Sequence, residues 1–409
     1  MLYAQPLEVD TNAAASNQPS MAVSPDGKVP VVEITAPDDS GVSHNVFKEY
    51  NVGEEGIIYN SSAASASDQA STSHLAGGSL PSNPNLNGPG ARIILTEVSG
   101  SHASHLRGCT EIYGQSADYI LANPNGIYVN GGSFINTNRV TLTTGVPHYS
   151  TQNVFTGFHV AHGKVEILGR GLVSSQLPIS GSPLSILSRV AKLSAHLRGA
   201  KDMSIYAGQY AFDYGRRKAQ PSADSDVLDR PRIAIDASNL SKVEVGKITL
   251  IATELGVGVR APEHVIAQGN VVIRSSGPLT LPRVLRGSKH LAVSSPSALT
   301  LSGSLLSASG YLHLSGNSLL IDSTSRLSSA GIIASTKPSM VLKALTRVEN
   351  QGNVSGEDVV ICTGKTKSFP SGRVASSLPS MTTGKIVNTG SIHAASDLTL
   401  SSLIIENKG

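Results

Sequence analysis

Three short stretches of the sequence contain residue types that could do chemistry. His102 and His105 lie three positions apart in the stretch SHASH, and paired histidines are common in metal sites. Asp38 and Asp39 are adjacent carboxylates, a pairing that can serve as general acid and base. The run GRRKAQP, Gly215–Pro221, gathers three basic side chains, which could contact a nucleic-acid backbone. Whether any of these forms a site depends on the elements that hold them.

The patterns around these stretches favour ordinary surface positions. Histidines three apart would face opposite sides of a strand, and no carboxylate or third ligand lies close in sequence. Nothing places the two aspartates with a basic residue on a recurring strand face. The basic run is short and resembles a solvated loop. We therefore predict a protein that is not an enzyme, with no catalytic residue, no metal, no cofactor and no nucleic-acid partner.

Two asparagine–proline motifs carry a different kind of chemistry, that of tight turns. They are Asn83-Pro84-Asn85-Leu86 and Asn123-Pro124-Asn125-Gly126-Ile127. Proline fixes φ at the second position of a turn, while asparagine and glycine tolerate the left-handed region. An asparagine amide can also donate and accept hydrogen bonds between stacked layers of chain. We expect both motifs to be turns in a layered structure.

The rest of the sequence predicts short strands in series. Charged residues make up 15% and aromatic residues 4% of the chain, tryptophan is absent, and there are 40 glycines. Runs such as ARIILTEV, KVEILG and KITLIATELGVGVR alternate apolar and polar residues between glycine, asparagine and serine, which is typical of strands. Only Leu184–Ala200 has apolar residues at both helical and strand spacing, so periodicity does not decide between them.

A repeat near the end indicates how the strands are stacked. Val348–Gly364 and Ile386–Gly409 share an apolar-x-Asn-x-Gly frame followed by a second alternating run. Three short strands with their turns use about 20 residues, the length of one coil of a β-helix. A single coil cannot bury its inner face, whereas stacked coils complete both the hydrogen-bond ladder and the core. The fold class predicted is an all-β solenoid.

Charge and cysteine usage add limits on compartment and partners. Residues 1–150 hold 13 acidic and 5 basic side chains and the remainder 16 and 27, without long runs of one sign, which favours solvated faces. Cys109 and Cys362 are too few for a disulfide-stapled miniprotein, and we expect them to stay unpaired in a monomer. No apolar run reaches the roughly 20 residues that span a bilayer. The start, MLYAQPLEVD, lacks the regions of a signal peptide.

Four stretches in this order resemble the secretion domain of the filamentous-haemagglutinin-like exoproteins of Gram-negative two-partner secretion, which include the contact-dependent growth-inhibition toxins. They are Ala36–Val52, Asn83–Leu86, Ala91–Gly145 and Ile235–Arg260. The resemblance covers about Val31–Gly277. The repeats beyond resemble the haemagglutinin repeats that follow this domain in such proteins.

The resemblance implies a right-handed parallel β-helix with an N-terminal cap and small extra-helical β elements. It implies export through the periplasm, recognition by the periplasmic POTRA domains of an outer-membrane TpsB transporter of the Omp85 type, and release or display at the cell surface. The nine residues of the two motifs carry over as transporter-recognition and folding residues. The chain would be the secretion-targeting scaffold of a large adhesin or toxin, whose target-cell receptor binds other regions. The alternative is a self-contained β-helical adhesin or glycan-processing protein.

The predicted domains are a flexible arm over 1–28, the secretion domain over 29–277 and β-helical haemagglutinin-type repeats over 278–409. Two departures from the family pattern stand out. Val129–Gly132 replaces the cysteine pair of many growth-inhibition members, so a local disulfide is lost there. Asn239–Lys247 lacks the glycine, methionine and tyrosine usual in the family. We also expect the family's signal peptide to have been removed before this sequence begins.

Overall fold

Strands account for nearly all the regular structure of this chain. The computed structural model describes residues 7–63, 72–172, 182–195, 202–222, 230–240, 242–330, 338–364 and 383–409. Within these ranges there is one 3-10 turn, Ala15–Asn17, and no α-helix. Accordingly, no helix in the described ranges is long and apolar enough to cross a membrane. The chain divides into two compact units, Met1–Asp229 and Arg230–Gly409.

The first unit contains twenty strands. They are β1 Glu8–Val9, β2 Ser20–Val23, β3 Pro30–Glu33, β4 Val42–Glu49, β5 Ile57–Ser61, β6 Ile93–Val98, β7 Ser104–Leu106, β8 Cys109–Gly114, β9 Ala117–Ala122, β10 Ile127–Val129, β11 Ser133–Ile135, β12 Thr137–Thr143, β13 Val146–Tyr149, β14 Phe155–Val160, β15 Lys164–Ile167, β16 Leu184–Ser188, β17 Val190–Leu193, β18 Asp202–Ala207, β19 Tyr210–Asp213 and β20 Lys218–Pro221.

Most of these strands form three parallel sheets through which the chain winds repeatedly. One sheet contains β4, β6, β9, β12, β16 and β18, the second β7, β10, β15 and β17, and the third β3, β5, β8 and β11. The coils β6–β8 and β9–β11 visit the three sheets in that order, and strands of successive coils pair in parallel, as β9 does with β12. This is the predicted parallel β-helix.

The core of the coils follows from the alternation in the sequence. In β18, Met203, Ile205 and Ala207 are fully buried while the residues between them are partly exposed. Because successive side chains of a strand point to opposite faces, this spacing sends one set inward on every coil. Burial of an apolar side chain contributes roughly 1.5–3 kcal/mol, so each coil is stabilised mainly by its inner row.

Four strands leave the coils and form a separate antiparallel sheet in the order β13, β14, β19, β20. Phe155, Phe158 and Phe212 of this sheet pack against Leu95 and Ile120 of the coils. Phe155 and Phe158 meet edge to face with their ring centroids 5.3 Å apart. The sheet is the extra-helical β element that the family resemblance implied, and it covers an apolar face of the helix.

The amino-terminal segment differs from expectation. Residues 1–28 were expected to be a flexible arm, yet β1 pairs antiparallel with β4, and β2 pairs antiparallel with β3. Every residue of β2 is exposed, so its sequence shows no alternation that would mark a strand. Its partner strand stabilises it through backbone hydrogen bonds, which the sequence pattern does not reveal. The described part, 7–28, is therefore ordered structure.

The second unit contains the remaining strands. They are β21 Ile233–Asp236, β22 Lys242–Val245, β23 Lys247–Ala252, β24 Gly258–Arg260, β25 His264–Ala267, β26 Val271–Arg274, β27 Leu279–Thr280, β28 Val284–Gly287, β29 Leu291–Ser294, β30 Leu299–Leu301, β31 Leu305–Ala308, β32 Leu312–Ile321, β33 Arg326–Ser329, β34 Met340–Asn350, β35 Asn353–Gly356, β36 Val359–Thr363, β37 Lys385–Asn388, β38 Ser391–Ala394, β39 Leu398–Ser401 and β40 Ile404–Asn407.

These strands also stack in parallel coils, and the repeat read from the sequence is in register. Val348 in β34 pairs with Ile386 in β37, which places the frame asparagines Asn350 and Asn388 side by side. The Asn350 amide donates to Asn388 Oδ1 at 2.7 Å, and Asn388 donates to Asn407 Oδ1 at 2.7 Å. Stacked amides of this kind satisfy buried polar groups from one coil to the next.

The segment Leu184–Ala200, which periodicity left undecided, contains two strands. Residues 184–188 and 190–193 form β16 and β17, which belong to different sheets. Residues 196–200 lie outside the described ranges. The segment forms strands and not a helix because β16 pairs with β12 and β17 pairs with β15 of the preceding coil.

We predict that both cysteines are thiols that react only after unfolding. Cys109 and Cys362 are buried and neither forms a disulfide in the described structure. Burial raises the pKa of the Cys109 thiol to about 11, so little reactive thiolate exists near neutral pH. Ellman's reagent should label the native protein slowly and find two thiols per chain in denaturant without reductant. Finding none in the denatured monomer would contradict this arrangement.

Candidate functional site

The first asparagine–proline motif forms a turn that is hydrogen-bonded to the first coils. The backbone N–H of Asn85 donates to Asn83 Oδ1 at 2.8 Å, and that of Leu86 donates to the Asn83 carbonyl at 3.2 Å. The Asn83 amide donates to the carbonyls of Ile34 at 3.0 Å and Asn60 at 2.8 Å. One buried side chain therefore closes the turn and joins it to the chain around β3 and β5.

The second motif, which links β9 to β10, has the same arrangement. Asn125 N–H donates to Asn123 Oδ1 at 2.9 Å, and Gly126 N–H donates to the Asn123 carbonyl at 3.1 Å. The Asn123 amide donates to the His102 carbonyl and to Ser104 Oγ, both at 2.9 Å. Ser104 belongs to β7, which lies one coil before β10. The asparagine amide thus bridges successive coils, as the turn chemistry predicted.

Glycine at the fourth position of this motif has a steric reason. Gly126 has a φ of 122°, in the region that other residues rarely adopt. A Cβ there would lie 3.0 Å from the carbonyl oxygen of Lys164 on the next coil. Any side chain would therefore push this turn away from its neighbour.

Burial divides each motif into an inner and an outer part. Asn83, Leu86, Asn123, Gly126 and Ile127 are buried, whereas Pro84 and Asn125 are exposed and Asn85 and Pro124 are half-buried. The second asparagine of each motif also donates to a backbone carbonyl, from Asn85 to Glu33 at 3.1 Å and from Asn125 to Gly100 at 2.7 Å. The inner residues hold the turn, and the outer residues are the ones a partner could touch.

The motifs occupy turns between strands in a chain that winds as a β-helix. Comparison with known protein families shows to which family this chain belongs. Residues 8–281 match the family described as the TPS secretion domain. The chain belongs to this family of two-partner secretion domains.

Several curated relatives of this TPS domain are much longer proteins. It is 38% identical over 253 residues to the tRNA nuclease CdiA of Yersinia mollaretii, covering 62% of this chain and 8% of that protein. It is 37% identical over 291 residues to the 16S rRNA endonuclease CdiA of Enterobacter cloacae, covering 70% of this chain and 8% of that protein. The chain thus spans about 8% of the length of these relatives.

A solved structure supports the fold. The crystal structure of the filamentous hemagglutinin secretion domain superposes with a TM-score of 0.54 and 24% identity, covering 97% of this chain and all of that one. At this identity the likeness concerns the fold alone. The parallel β-helix of the TPS domain, expected from the sequence, is therefore confirmed.

The stretch Leu121–Gly145, which contains the second motif, runs from the end of β9 through β10 and β11 to the end of β12. Leu121 pairs with Leu142 of the same stretch, so the stretch contains little more than one full coil.

The two histidines near this motif have separate environments. His102 Nδ1 lies 2.5 Å from Glu49 Oε1, and the two side chains are 57% and 10% exposed. His105 in β7 stacks on Tyr128 of the next coil, with ring centroids 5.2 Å apart. No cluster of three or more histidine, cysteine or acidic residues suited to a metal occurs in the described ranges. His102 therefore has the carboxylate partner that sequence proximity could not show.

The other candidate stretches serve as turns and strand ends. Asp38 Oδ1 accepts hydrogen bonds from the backbone N–H groups of Ser40 and Val42, both at 2.9 Å, and closes the turn before β4. In the basic run, Arg217 has a φ of 53° in the turn between β19 and β20. Both stretches are thus held by local turn chemistry.

A buried polar pair beside the first motif was not found from the sequence. Glu33 Oε2 accepts a hydrogen bond from the Asn60 amide at 2.9 Å, and Asn60 is fully buried. The same amide donates to the Pro81 carbonyl at 2.9 Å. A glutamate and an asparagine inside strands carry no motif, so no pattern in the sequence marks their pairing.

We predict that Glu33 makes the stability of the TPS domain fall as pH rises. Burial raises the pKa of the Glu33 carboxyl above its ordinary value of 4.5, although the bond from Asn60 partly offsets it. The folded state then holds the proton more tightly than the unfolded state, so ionisation above that value destabilises the fold. Glu33→Gln should raise the urea midpoint at about pH 7 and leave it unchanged at about pH 4.

The control for this experiment is Glu55→Gln, which removes an exposed carboxylate from a turn. It should change neither midpoint. An equal gain from Glu33→Gln at both pH values would show that ionisation of Glu33 is not the cause.

Proposed function

We propose that this chain is the secretion-targeting and scaffold region of a larger exported protein, engaged in the periplasm by the POTRA domains of its outer-membrane TpsB transporter. The two asparagine–proline turns form the recognition surface. Once outside, the first coils form and template the stacking of those that follow. The protein then reaches the medium or the cell surface.

The observation that supports this proposal is the shared construction of the two motifs. Each buries one asparagine in hydrogen bonds to neighbouring strands and leaves a proline or an asparagine facing solvent. Turns that served only to reverse the chain would not need the same arrangement of a buried asparagine twice. A repeated, rigid polar feature suits a partner that must recognise this domain among other periplasmic proteins.

The nuclease activities in the relatives' names belong to those proteins, of which this chain matches 8%. We propose that this region carries no catalytic step itself. In the larger protein, other regions would supply a toxin or adhesin activity and bind the target-cell receptor. The secretion domain would only deliver them.

The test is secretion in cells that express the cognate transporter. A double variant, Pro84→Ala with Asn125→Ala, changes the outer part of both motifs and removes two hydrogen bonds, those from the Asn125 amide to the Gly100 carbonyl and to Asn123 Oδ1. It should accumulate in the periplasm and decline in the medium, while the purified protein keeps its far-ultraviolet spectrum and loses no more than about 1 kcal/mol of stability. Asn85→Ala and Asn123→Ala should lower export as well.

Asn388→Ala is the matched control, because it removes two inter-coil amide bonds far from both motifs in sequence, one accepted from Asn350 and one donated to Asn407. It should be exported normally. Normal export of the double variant, or an equal defect in Asn388→Ala, would show that the motifs are only turns. Binding of the purified variants to the transporter's periplasmic region separates failed recognition from failed folding.

A further inference from the structure

A groove of about 580 Å³ opens in the first unit between the coils and the extra-helical sheet. Its floor is a row of side chains in register on four successive coils. Val42 pairs with Ile93, Ile93 with Asp118, and Asp118 with Arg139. Because these positions are fixed by parallel ladders, the floor is rigid. The size is that of a small-ligand site.

Three arginines line this groove, and among the described residues only one of them has an ionic partner there. Arg139 Nη1 lies 3.5 Å from Asp118 Oδ2, and the same carboxylate oxygen accepts a hydrogen bond from Tyr214 Oη at 2.9 Å. Arg92 and Arg217 are exposed, and neither forms an ion pair with any residue the structure describes. With one carboxylate against three guanidiniums, the groove carries a net positive charge and attracts an anion.

Arg92 is positioned by the backbone beneath it. Its aliphatic stem lies against Gly41, where an added Cβ would come within 2.9 Å of Arg92 Cδ. Gly41 has a φ of 81°, so glycine suits both the turn and the close approach. Arg217 lines the groove from the β19–β20 turn. Two arginines therefore line one space from separate elements.

The remaining lining decides which class of anion fits. Ser40, Gln115, Ser116 and Asn138 offer neutral hydroxyl and amide groups, and Tyr214 contributes an aromatic ring. Sugar hydroxyls pair with such groups, while an extended acidic peptide needs a free strand edge for main-chain bonds. The floor strands β4, β6, β9 and β12 are paired with one another, so the groove presents side chains and no free edge there.

We propose that this groove binds an acidic saccharide, with the sugar carboxylate held by Arg92 and Arg217 and the hydroxyls by the neutral side chains. Guanidinium groups bind carboxylates through strong, charge-assisted hydrogen bonds. None of the residues lining this groove belongs to the asparagine–proline turns, so the proposal of saccharide binding can be tested independently of transporter recognition.

Trigalacturonate is the probe for this site and neutral galactotriose its matched counterpart, measured by titration calorimetry on the 409-residue chain. Trigalacturonate should bind, and galactotriose should bind at least about tenfold more weakly. Arg92→Gln and Arg217→Gln should each weaken trigalacturonate binding about tenfold. Arg216→Gln, the neighbouring arginine that faces Asp213 at 3.5 Å outside the groove lining, should leave it unchanged.

Several results would overturn the proposal. These are no binding of trigalacturonate, equal binding of galactotriose, or an equal loss in Arg216→Gln. Inorganic phosphate or triglutamate binding as tightly as trigalacturonate would replace the saccharide by a general anion or an acidic peptide. Arg92, Arg216 and Arg217 are exposed, so their replacement should leave the fold intact. Circular dichroism of each variant checks that lost binding does not reflect lost folding.

Discussion

Replacing Asn123 by alanine is expected to lower the free energy of unfolding by about 3 kcal/mol. Asn123 is fully buried and its side chain makes four hydrogen bonds, with the His102 carbonyl, with Ser104 Oγ, and with the backbone N–H and the side-chain amide of Asn125. Alanine leaves those groups buried without a partner, and each such group costs about 1–3 kcal/mol. Urea unfolding followed by far-ultraviolet circular dichroism measures the change.

Two further variants separate the roles of the side-chain atoms. Asn123→Asp keeps the oxygen that accepts from Asn125 but cannot donate to the His102 carbonyl, so it should also destabilise the fold. Asn125→Ala removes two hydrogen bonds made by an exposed side chain, to the Gly100 carbonyl and to Asn123 Oδ1, and should cost no more than about 1 kcal/mol. If Asn123→Ala cost no more than Asn125→Ala, the inter-coil bonds of the turn would not stabilise the fold.

Tyr119→Ala is expected to cost about 4 kcal/mol, the range for removing a large aromatic side chain from a core. Tyr119 is fully buried in β9, and its ring meets Tyr59 and Phe134 at centroid distances of 5.3 and 5.6 Å. Its hydroxyl lies 2.8 Å from Tyr50 Oη. Burial raises the pKa of Tyr119 to about 12, so both hydroxyls stay neutral and hydrogen-bonded.

Tyr119→Phe keeps the ring and removes only the hydroxyl, so its cost should be about 1 kcal/mol. Urea denaturation of Tyr119→Ala, Tyr119→Phe and the unchanged protein measures these differences in the free energy of unfolding. Similar midpoints for Tyr119→Ala and the unchanged protein would mean that this aromatic cluster does not hold the first coils together.

The sequence predicted those parts of the structure that depend on local spacing. Alternation marked the strands, and the apolar-x-Asn-x-Gly frame placed Asn350 beside Asn388. The motif asparagines were recognised as turn residues because turn chemistry is local. The division of each motif into inner and outer residues was not predictable, because it depends on which neighbouring strand passes beneath the turn.

The saccharide groove illustrates what spacing cannot reveal. Its floor residues Val42, Ile93, Asp118 and Arg139 are neighbours only because coils of unequal length bring them into register. The separation in sequence from Val42 to Ile93 is more than twice that from Asp118 to Arg139. No fixed period in the sequence connects such positions. The strand β1 within the described part of the arm was missed for a related reason, because its partner β4 is distant in sequence.

The extra-helical sheet imposes an order on assembly. The coil face beneath this sheet includes Val42, Leu95 and Ile120. The last strand of the sheet, β20, ends about a hundred residues or more later in the sequence, at Pro221. Contacts across so long a stretch of chain form slowly, because a large loop must close before they contribute. If the chain emerges from a pore with its amino end first, that apolar face stays exposed to water until the hairpin of β19 and β20 has emerged as well. The time between those events is the interval in which neighbouring chains could misassemble.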